Sequence, residues 1–293
     1  MAQAKRPNSR AEMTRSRWWR KAGSPAWIMG VLNCTPDSFS DGGNYFDVDR
    51  AIAHGLAMWE QGAEIIDVGG ESTRPGAEPV PVEDELRRVL PVVRALVAHG
   101  CRVSVDTMKA EVMARAIEAG ACMINDVSAL RFDAASLAVV ADAGVDVCLM
   151  HMQGTPRTMQ RAPHYDDVLG EVASFFAQRI DACLAAGMEP SAILLDPGIG
   201  FGKRLEDNLC LIANLGYFRS RFEMPVLLGV SRKSFIHALT GAEVHDRELE
   251  TAVAGGIGVF DGADGLRVHD VALQRRAARV AAALADHRLQ PKG

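Results

Sequence analysis

Eight short apolar runs recur along the chain, and each has the length of a buried strand. They are WIMGVLN, EIIDVGG, RVSVD, CMIND, DVCLMH, AILLD, VLLGVS and GLRVHD. Between most of them lie segments in which apolar residues recur every three to four positions, such as DVDRAIAHGLAMWEQG, and this spacing is typical of amphipathic helices. Buried strands that alternate with helices along a whole chain predict βαβ units and a parallel sheet.

The links between these predicted elements differ at the two ends of the strands. Links that lead into a strand are short and contain glycine, as in QGAE, HGCR and DAGVD, because glycine readily adopts the left-handed conformation after a helix. Two links that leave a strand, CTPDSFSDGGNYFD and GESTRPGAEPVPVED, are much longer than ordinary strand-to-helix loops. Long polar loops at the carboxyl ends of the strands indicate that this face carries the function.

Eight such units in a chain of 293 residues predict an α/β fold of the (β/α)₈ TIM-barrel type, formed by residues 25–293 as a single domain. An open doubly wound sheet is the alternative. The number of units and the absence of a glycine-rich dinucleotide turn count against it. Residues 1–24 are basic and are predicted to form a flexible tail, with an organellar transit peptide as the alternative interpretation.

Composition narrows the class of protein without identifying a function. The net charge of −5 is mild and gives no support for nucleic-acid binding. No apolar run approaches the length that spans a bilayer. The six cysteines form no CxxC pair and no cluster at zinc spacing, so we expect reduced cysteines and a cytoplasmic protein.

Nearly every predicted strand ends in a polar or charged residue. These strand-end residues are Asn33, Asp67, Asp106, Asn125, His151, Asp196, Ser231 with Arg232 and Lys233, and Arg267 with His269. In a barrel they converge on the mouth where active sites of this fold lie. A single Asp or Asn in such a place is more often a helix N-cap than a functional group. Capping does not require lysine, arginine and histidine as well, so the complete set indicates a site.

The last strand predicts an anion site. Arg267 and His269 are two positions apart and point the same way, at a strand where such barrels often hold phosphate. A surface salt bridge and a structural histidine are the alternatives for these two residues. Asp270 can cap the next helix. Lys233 lies at a predicted helix start, against the preference of the helix dipole, which indicates a function. The segment LDPGIGFGK lacks P-loop spacing and predicts a loop whose glycines let the backbone approach a flat ligand.

Eight segments, in order across residues 27–271, resemble the dihydropteroate synthase family. They are GVLNCTPDSFSDGG, DVGGESTRPG, VSVDT, INDVSAL, LMHMQGTP, LDPGIGFGK, GVSRKSFI and GLRVHDV. The resemblance implies a (β/α)₈ transferase of folate biosynthesis. Such an enzyme joins 6-hydroxymethyl-7,8-dihydropterin diphosphate to 4-aminobenzoate, giving 7,8-dihydropteroate and pyrophosphate. The resemblance also implies magnesium, a homodimer and competition by sulfonamides at the aminobenzoate site.

The roles of the family carry over residue by residue as expectations. The implied pterin residues are Asp106, Asn125, Asp196 and Lys233. The implied pyrophosphate residues are Asn33, Arg74, Arg267 and His269, with Asn33 as the magnesium ligand. The implied aminobenzoate residues are Thr73, Pro75, Phe201 and Ser234, and the segment from Thr73 is expected to begin a mobile loop. The implied catalytic residues are Asp106, Lys233, Arg267, His269 and Asp67.

Within the catalytic set, Asp106 is expected to stabilise a carbocation at the pterin methylene after pyrophosphate leaves. The role of Asp67 stays open between a pyrophosphate-end ligand, a partner of metal-bound water and a structural acceptor. Two other functions are alternatives: a non-catalytic pterin-binding paralogue and a pterin-dependent methyltransferase. A methyltransferase handles no pyrophosphate, so Arg74, Arg267 and His269 would have no purpose in it.

Overall fold

The computed structural model describes residues 18–21, 24–35 and 47–287. Within them, eight parallel strands form a barrel, which confirms the predicted (β/α)₈ fold. The strands are β1 (Trp27–Asn33), β2 (Ile65–Gly69), β3 (Val103–Asp106), β4 (Met123–Asp126), β5 (Asp146–Met150), β6 (Ile193–Asp196), β7 (Leu227–Leu228) and β8 (Gly265–Val268). Strand β1 pairs with β8, and a bridge between Leu195 and Val226 closes the barrel between β6 and β7.

The described chain has ten α-helices around this barrel. They are α1 (Val48–Glu60), α2 (Val82–Ala98), α3 (Ala110–Glu118), α4 (Ser136–Ala143), α5 (Val168–Ala185), α6 (Leu205–Ile212), α7 (Leu215–Phe222), α8 (Ser234–Thr240), α9 (Glu248–Asp261) and α10 (Val271–Asp286). The side chain of Asp270 accepts the backbone N–H of Leu273 at 2.9 Å and caps α10, as predicted. No helix in the described part of the chain is long and apolar enough to cross a membrane.

Side chains on the strands alternate between two apolar surfaces. Outward-facing residues such as Ile66, Val68 and Val105 pack against the helices in the main core. The inward-facing residues of the lower barrel form a second apolar cluster, which consists of Trp18, Trp27, Met29, Ile65, Met123, Cys148, Leu194 and Leu227. Full burial of one such side chain contributes about 1.5–3 kcal/mol. The lower half of the barrel is therefore a packed core, and the polar strand ends are confined to the mouth.

The predicted tail, residues 1–24, lies mostly outside the described residues. Residues 18–21 and 24 of it are described, and Trp18 and Arg20 contact residues at the amino ends of the strands. Trp18 is 2% exposed, and its indole N–H donates to Asp146 Oδ2 at 2.7 Å. The indole of Trp27 donates to the carbonyl of Trp18 at 2.8 Å. Trp18 thus closes the bottom of the barrel, and the packed chain begins ahead of the predicted boundary at residue 25.

All six cysteines are free, as predicted. Four of them, Cys34, Cys101, Cys148 and Cys183, are buried. Burial is the main cause that raises the pKa of each of these four thiols. Thiols with raised pKa values stay protonated at neutral pH, so these cysteines act as small apolar side chains.

Candidate active site

A network of charged side chains lies at the carboxyl ends of β2, β3, β4 and β8. Arg267 Nε donates to Asp67 Oδ2 at 2.7 Å, and its Nη2 donates to Asp106 Oδ2 at 2.8 Å. Asn125 Nδ2 donates to the same Asp67 oxygen at 2.9 Å. The strand register brings these groups together, because Asp106 lies opposite Gly69 on one side and opposite Asn125 on the other. These four predicted residues therefore meet in one cluster.

Two carboxylate oxygens of this cluster are available to a ligand. Asp67 Oδ1 and Asp106 Oδ1 are buried, and no donor in the described chain reaches them. Burial raises the pKa of Asp106 to about 7, an effect that Arg267 opposes and Asp67 reinforces. Burial alone would lower the pKa of Arg267, but the two aspartates reverse this and raise it, so Arg267 remains a cation. Free acceptors beside a fixed cation suit a ligand that brings both N–H donors and negative charge.

Strand β6 and the turn after β7 supply a second part of the mouth. Asp196 Oδ1 accepts the backbone N–H of Gly198 at 2.7 Å, while its other oxygen has no hydrogen bond within the described residues. Burial raises the pKa of Asp196. Lys233 Nζ lies 4.1 Å from the centre of the Phe201 ring, which is a cation–π distance. Burial and then Arg267 lower the pKa of Lys233 to about 8, so most of it is charged at neutral pH.

The remaining strand-end residues lie around the same opening. His269 follows β8, and its Nδ1 lies 2.9 Å from Ser231 Oγ. Burial, followed by Arg232 and other cations, lowers the pKa of His269 to about 3, so the imidazole is neutral at pH 7. Asn33 ends β1 opposite Gly69, and its side-chain amide makes no hydrogen bond to any described residue. Its oxygen is therefore available to a ligand or a metal ion.

The loop between β2 and α2 carries three of the predicted residues. Thr73 is half-buried, whereas Arg74 and Pro75 are exposed. Arg74 is still close enough to influence the mouth: after burial and nearer charges, it is a further cause that lowers the pKa values of Lys233 and His269. The structure therefore brings Arg74 electrostatically to the site without a hydrogen bond to it.

A largely buried cation, Lys109, fixes both ends of this loop. Lys109 Nζ donates to Glu71 Oε2 at 2.8 Å, to the Val80 carbonyl at 2.7 Å and to Glu85 Oε2 at 2.5 Å. Glu71 Oε1 also accepts the backbone N–H of Val80 at 2.8 Å. The ends of the loop at Glu71 and Val80 are thus joined to each other and to α2. The segment that carries Thr73, Arg74 and Pro75 projects from this fixed stem.

One strand-end residue does not face the mouth. His151 follows Met150, which points into the barrel, so the next side chain points outward. The His151 ring lies 4.9 Å from the Phe175 ring on the helical side. Lys203 Nζ bonds His151 Nδ1 at 3.0 Å and the carbonyls of His151 and Phe201 at 3.2 and 3.1 Å. The prediction that His151 belongs to the mouth is wrong, because β5 ends one residue before it.

Two glycines of the segment LDPGIGFGK pack against backbone. Gly198 and Gly202 have φ values of +68° and +62°, in the left-handed region that favours glycine. A Cβ atom on Gly198 would overlap the carbonyl oxygen of His151, and one on Gly202 would overlap that of Gln153. These two glycines allow the loop after β6 to lie directly on the loop after β5. The third glycine, Gly200, lies beside Lys233, where an added Cβ would meet Lys233 Cδ at 3.3 Å, so the prediction that glycine in this segment admits a flat ligand stays a prediction.

Comparisons with known proteins agree with this geometry. A model of the pterin binding enzyme family matches residues 29–269. The dihydropteroate synthase of Escherichia coli strain K12 is 47% identical over 254 residues, which are 86% of this chain and 89% of that protein.

The chain belongs to the dihydropteroate synthase family.

Solved structures of dihydropteroate synthases share its fold. The structure from Xanthomonas albilineans with 4-aminobenzoic acid is 49% identical, with a TM-score of 0.83 over 89% of this chain and 94% of that chain. The Yersinia pestis enzyme in a sulfonamide drug complex is 43% identical, with a TM-score of 0.85 over 90% of this chain and 95% of that chain.

Most of an apolar wall of the dihydropteroate synthase mouth was missed in the sequence, where Phe201 was its one predicted member. Its members are Met108, Val127, Met150, Met152, Met159 and Phe201, which form one buried cluster. Met150 occupies the inward side of β5, two positions after Cys148, so the period of two along the strand was an available signal. A polar floor beside an apolar wall suits a flat heterocycle with hydrogen-bonding edges.

The available donors of this dihydropteroate synthase site fit magnesium. No three His, Cys, Asp or Glu residues form a metal-binding group anywhere in the described chain. Magnesium requires no such group, because it binds few protein oxygens and completes its shell with water and substrate phosphates. The amide oxygen of Asn33 and the unpartnered Oδ1 of Asp67 are hard oxygen donors of this kind.

Proposed function

We propose that this protein catalyses the condensation of 6-hydroxymethyl-7,8-dihydropterin diphosphate with 4-aminobenzoate, giving 7,8-dihydropteroate and pyrophosphate. One observation carries the proposal: Arg267 bonds both Asp67 and Asp106, each of which keeps a free buried oxygen. This arrangement offers acceptors for a heterocycle and a cation for a leaving anion at adjacent places. Membership of the dihydropteroate synthase family supports it.

The pterin end of the substrate is assigned to Asp106, Asn125, Asp196 and Lys233. A carboxylate accepts the two parallel N–H donors of an amidine-like edge, and the free oxygens of Asp106 and Asp196 are the available acceptors. The methionines of the neighbouring apolar wall would contact the face of the ring. Lys233, held against Phe201, is placed to donate to ring acceptors.

The diphosphate end is assigned to Asn33, Arg74, Arg267 and His269. Departure of pyrophosphate builds negative charge on the leaving oxygens, and fixed cations and N–H donors stabilise that charge. The methylene left behind is positively charged, and the carboxylate of Asp106 stabilises it. The weakly basic amine of 4-aminobenzoate then attacks the methylene carbon and releases one N–H proton to solvent, so the protein needs no nucleophile of its own.

The aminobenzoate end is assigned to Thr73, Pro75, Phe201 and Ser234. Thr73 and Pro75 lie on the loop fixed by Lys109, and Ser234 is the exposed first residue of α8. Phe201 offers its ring for stacking against the benzoate. The structure of the Xanthomonas albilineans relative with 4-aminobenzoic acid supports this substrate for the fold.

Magnesium is proposed as the metal, held by Asn33 and by the phosphates of the substrate. Bound there, it would neutralise part of the pyrophosphate charge. Removal of divalent cations with a chelator should lower the rate of pyrophosphate release, and added magnesium should restore it. A rate that is unchanged after chelation would contradict this assignment.

A homodimer is proposed from an apolar face on α9 and α10. Five side chains on these helices are 51–72% exposed, namely Leu249, Val253, Ile257, Val280 and Leu284. Helices α9 and α10 pack against each other, and on each helix the exposed residues are spaced by four, so they form one surface. Light scattering should give twice the chain mass, and Val253→Glu should shift it towards the monomer.

Six free cysteines support a cytoplasmic location.

Pyrophosphate release tests the proposed reaction directly. Purified protein is incubated with the pterin diphosphate and magnesium, with or without 4-aminobenzoate. Release that depends on 4-aminobenzoate is expected. If the protein binds the pterin but releases no pyrophosphate, it is a non-catalytic pterin-binding paralogue and the proposal is wrong.

A further inference from the structure

The side chain of Ser231 contacts His269 at two points. Ser231 Oγ lies 2.9 Å from His269 Nδ1, and the backbone N–H of His269 donates to the same oxygen at 3.3 Å. Ser231 is buried, and no other side chain of the described residues bonds its hydroxyl. No described residue bonds the second ring nitrogen, Nε2, of His269. The ring is thus held at one nitrogen only.

The direction of the Ser231 hydrogen bond follows from the available hydrogens. The serine oxygen already accepts from the backbone of His269, and its own hydrogen has no acceptor in the described chain except Nδ1. A buried hydroxyl that leaves its hydrogen unused costs free energy. The arrangement that uses every group has the hydroxyl donating to Nδ1. A neutral imidazole then carries its one hydrogen on Nε2.

Because His269 is neutral, the position of its single ring hydrogen decides whether Nε2 can donate a hydrogen bond. Burial, and then the surrounding cations, lower its pKa to about 3; in order of effect these cations are Arg232, Arg267, Lys233 and Arg74. The ring is therefore neutral before substrate binds, and it has a single N–H. An N–H on Nε2 attracts an anion that enters the mouth, whereas a lone pair there repels it.

The turn that carries Ser231 is held in place by α9 and by Arg247, the residue that precedes this helix. Arg232 has a φ of +58°, a left-handed conformation that is uncommon for a residue with a side chain. The backbone N–H of Arg232 donates to Thr251 Oγ1 at 3.2 Å, and its carbonyl accepts from Arg247 at 3.0 Å. The Nε–H of Arg232 donates to a carboxylate oxygen of Glu248 at 2.5 Å. Strained backbone persists only where its surroundings impose it. These contacts fix the turn and, with it, the hydroxyl of Ser231.

We propose that Ser231 is a positioning residue that holds neutral His269 as its Nε2–H tautomer, so that the ring donates a hydrogen bond to the pyrophosphate group. This inference rests on the proposed function, because it takes pyrophosphate as the ligand of His269. Ser231 itself does not contact the reacting atoms. Its effect passes through the ring that it orients.

The tautomer is measured first, without any substrate. Two-bond ¹H–¹⁵N spectra distinguish a ring nitrogen that carries hydrogen from one that does not, and His269→Gln identifies the signals of His269 by their loss. We expect hydrogen on Nε2 in the unchanged protein, and in Ser231→Thr, which keeps the hydroxyl. Ser231→Ala should give averaged signals. Hydrogen on Nδ1 in the unchanged protein would overturn the proposal.

Binding of inorganic pyrophosphate, measured by calorimetry, is the second readout. Ser231→Ala should weaken it about two- to tenfold, which is the effect of losing one hydrogen bond between neutral groups, and Ser231→Thr should restore it. Ser174→Ala is the control, because it deletes a hydroxyl that donates to the Gly170 carbonyl within α5, on the outside of the barrel. Equal affinity in Ser231→Ala and the unchanged protein, or no pyrophosphate binding at all, would overturn the proposal. Neither measurement requires catalytic turnover. A failure of the proposed reaction, seen in the pyrophosphate-release assay, is therefore distinguished from a failure of the proposal for Ser231.

Discussion

Replacement of Arg267 by methionine tests the central assignment of the site. The guanidinium is 20% exposed and makes two charge-assisted hydrogen bonds, at 2.7 Å to Asp67 and at 2.8 Å to Asp106. Removal of one partner from a buried ion pair costs about 3–5 kcal/mol. Asp106 already has a pKa of about 7, so it can take up a proton when the cation is lost. We therefore expect a loss near the lower end, about 3 kcal/mol at pH 7.

The effect on ligands separates this role from a purely structural one. A charge-assisted contact to phosphate contributes about 1.5–3 kcal/mol, so the affinity for the pterin diphosphate should fall about 10- to 100-fold. The affinity for the free hydroxymethyl pterin should change about threefold or less, because that ligand has no phosphate to lose. Calorimetric titration with both ligands, together with thermal unfolding, measures the two effects.

Arg275→Met is the matched control for this experiment. Arg275, on α10, also pairs with a carboxylate at 2.8 Å, but its partner Glu64 lies at the amino end of β2, away from the mouth. It should destabilise the protein and leave both affinities unchanged. Equal losses for the diphosphate and the free pterin in Arg267→Met would refute the assignment of Arg267 to pyrophosphate.

Three further changes test the surroundings of the mouth. Burial raises the pKa of Asp106 to about 7, so the free energy of unfolding decreases as pH rises from about 4 through 7. In Asp106→Asn the urea midpoint should therefore fall less between pH 5 and pH 8 than it does in the unchanged protein, and an equal fall would contradict this. Lys203→Met removes the hydrogen bond that holds the Phe201 carbonyl. Steady-state kinetics should then show a higher KM for 4-aminobenzoate and an unchanged KM for the pterin diphosphate, and a rise in both KM values would argue against a local effect. Lys109→Met leaves Glu71 and Glu85 without their cation and should lower Tm by several degrees. The double variant Lys109→Met with Glu85→Met should recover part of that loss in Tm, and no recovery would exclude the unpaired charge as its cause.

Strand positions and the convergence of polar strand ends could be predicted because both are local properties. A run such as EIIDVGG shows its apolar period and its polar end within seven residues. Parallel strands then bring those ends to one edge whatever the loops do. Asp67, Asp106, Asn125 and Arg267 were therefore found without knowledge of the structure.

Features that depend on distant contacts or on a single residue of register could not be predicted. Trp18 bonds Asp146, 128 positions away, and no periodic pattern marks it. His151 was assigned to the mouth because the end of β5 was placed one residue too late, and one residue reverses the direction of a side chain. The contact of Ser231 with His269 depends on the left-handed turn at Arg232, which is imposed by α9 and not by the sequence of the turn itself.

The position of Asp67 shows how the two ends of the site are connected. One of its oxygens accepts from both Arg267, assigned to pyrophosphate, and Asn125, assigned to the pterin. Neither group can move towards its ligand without a change in its bond to Asp67. The other oxygen is buried and free, so a donor or a metal ion supplied with the substrate would bind there without displacing either group. Asp67 is therefore a structural acceptor for both Arg267 and Asn125, and a fully buried carboxylate at this place fixes the two side chains relative to each other.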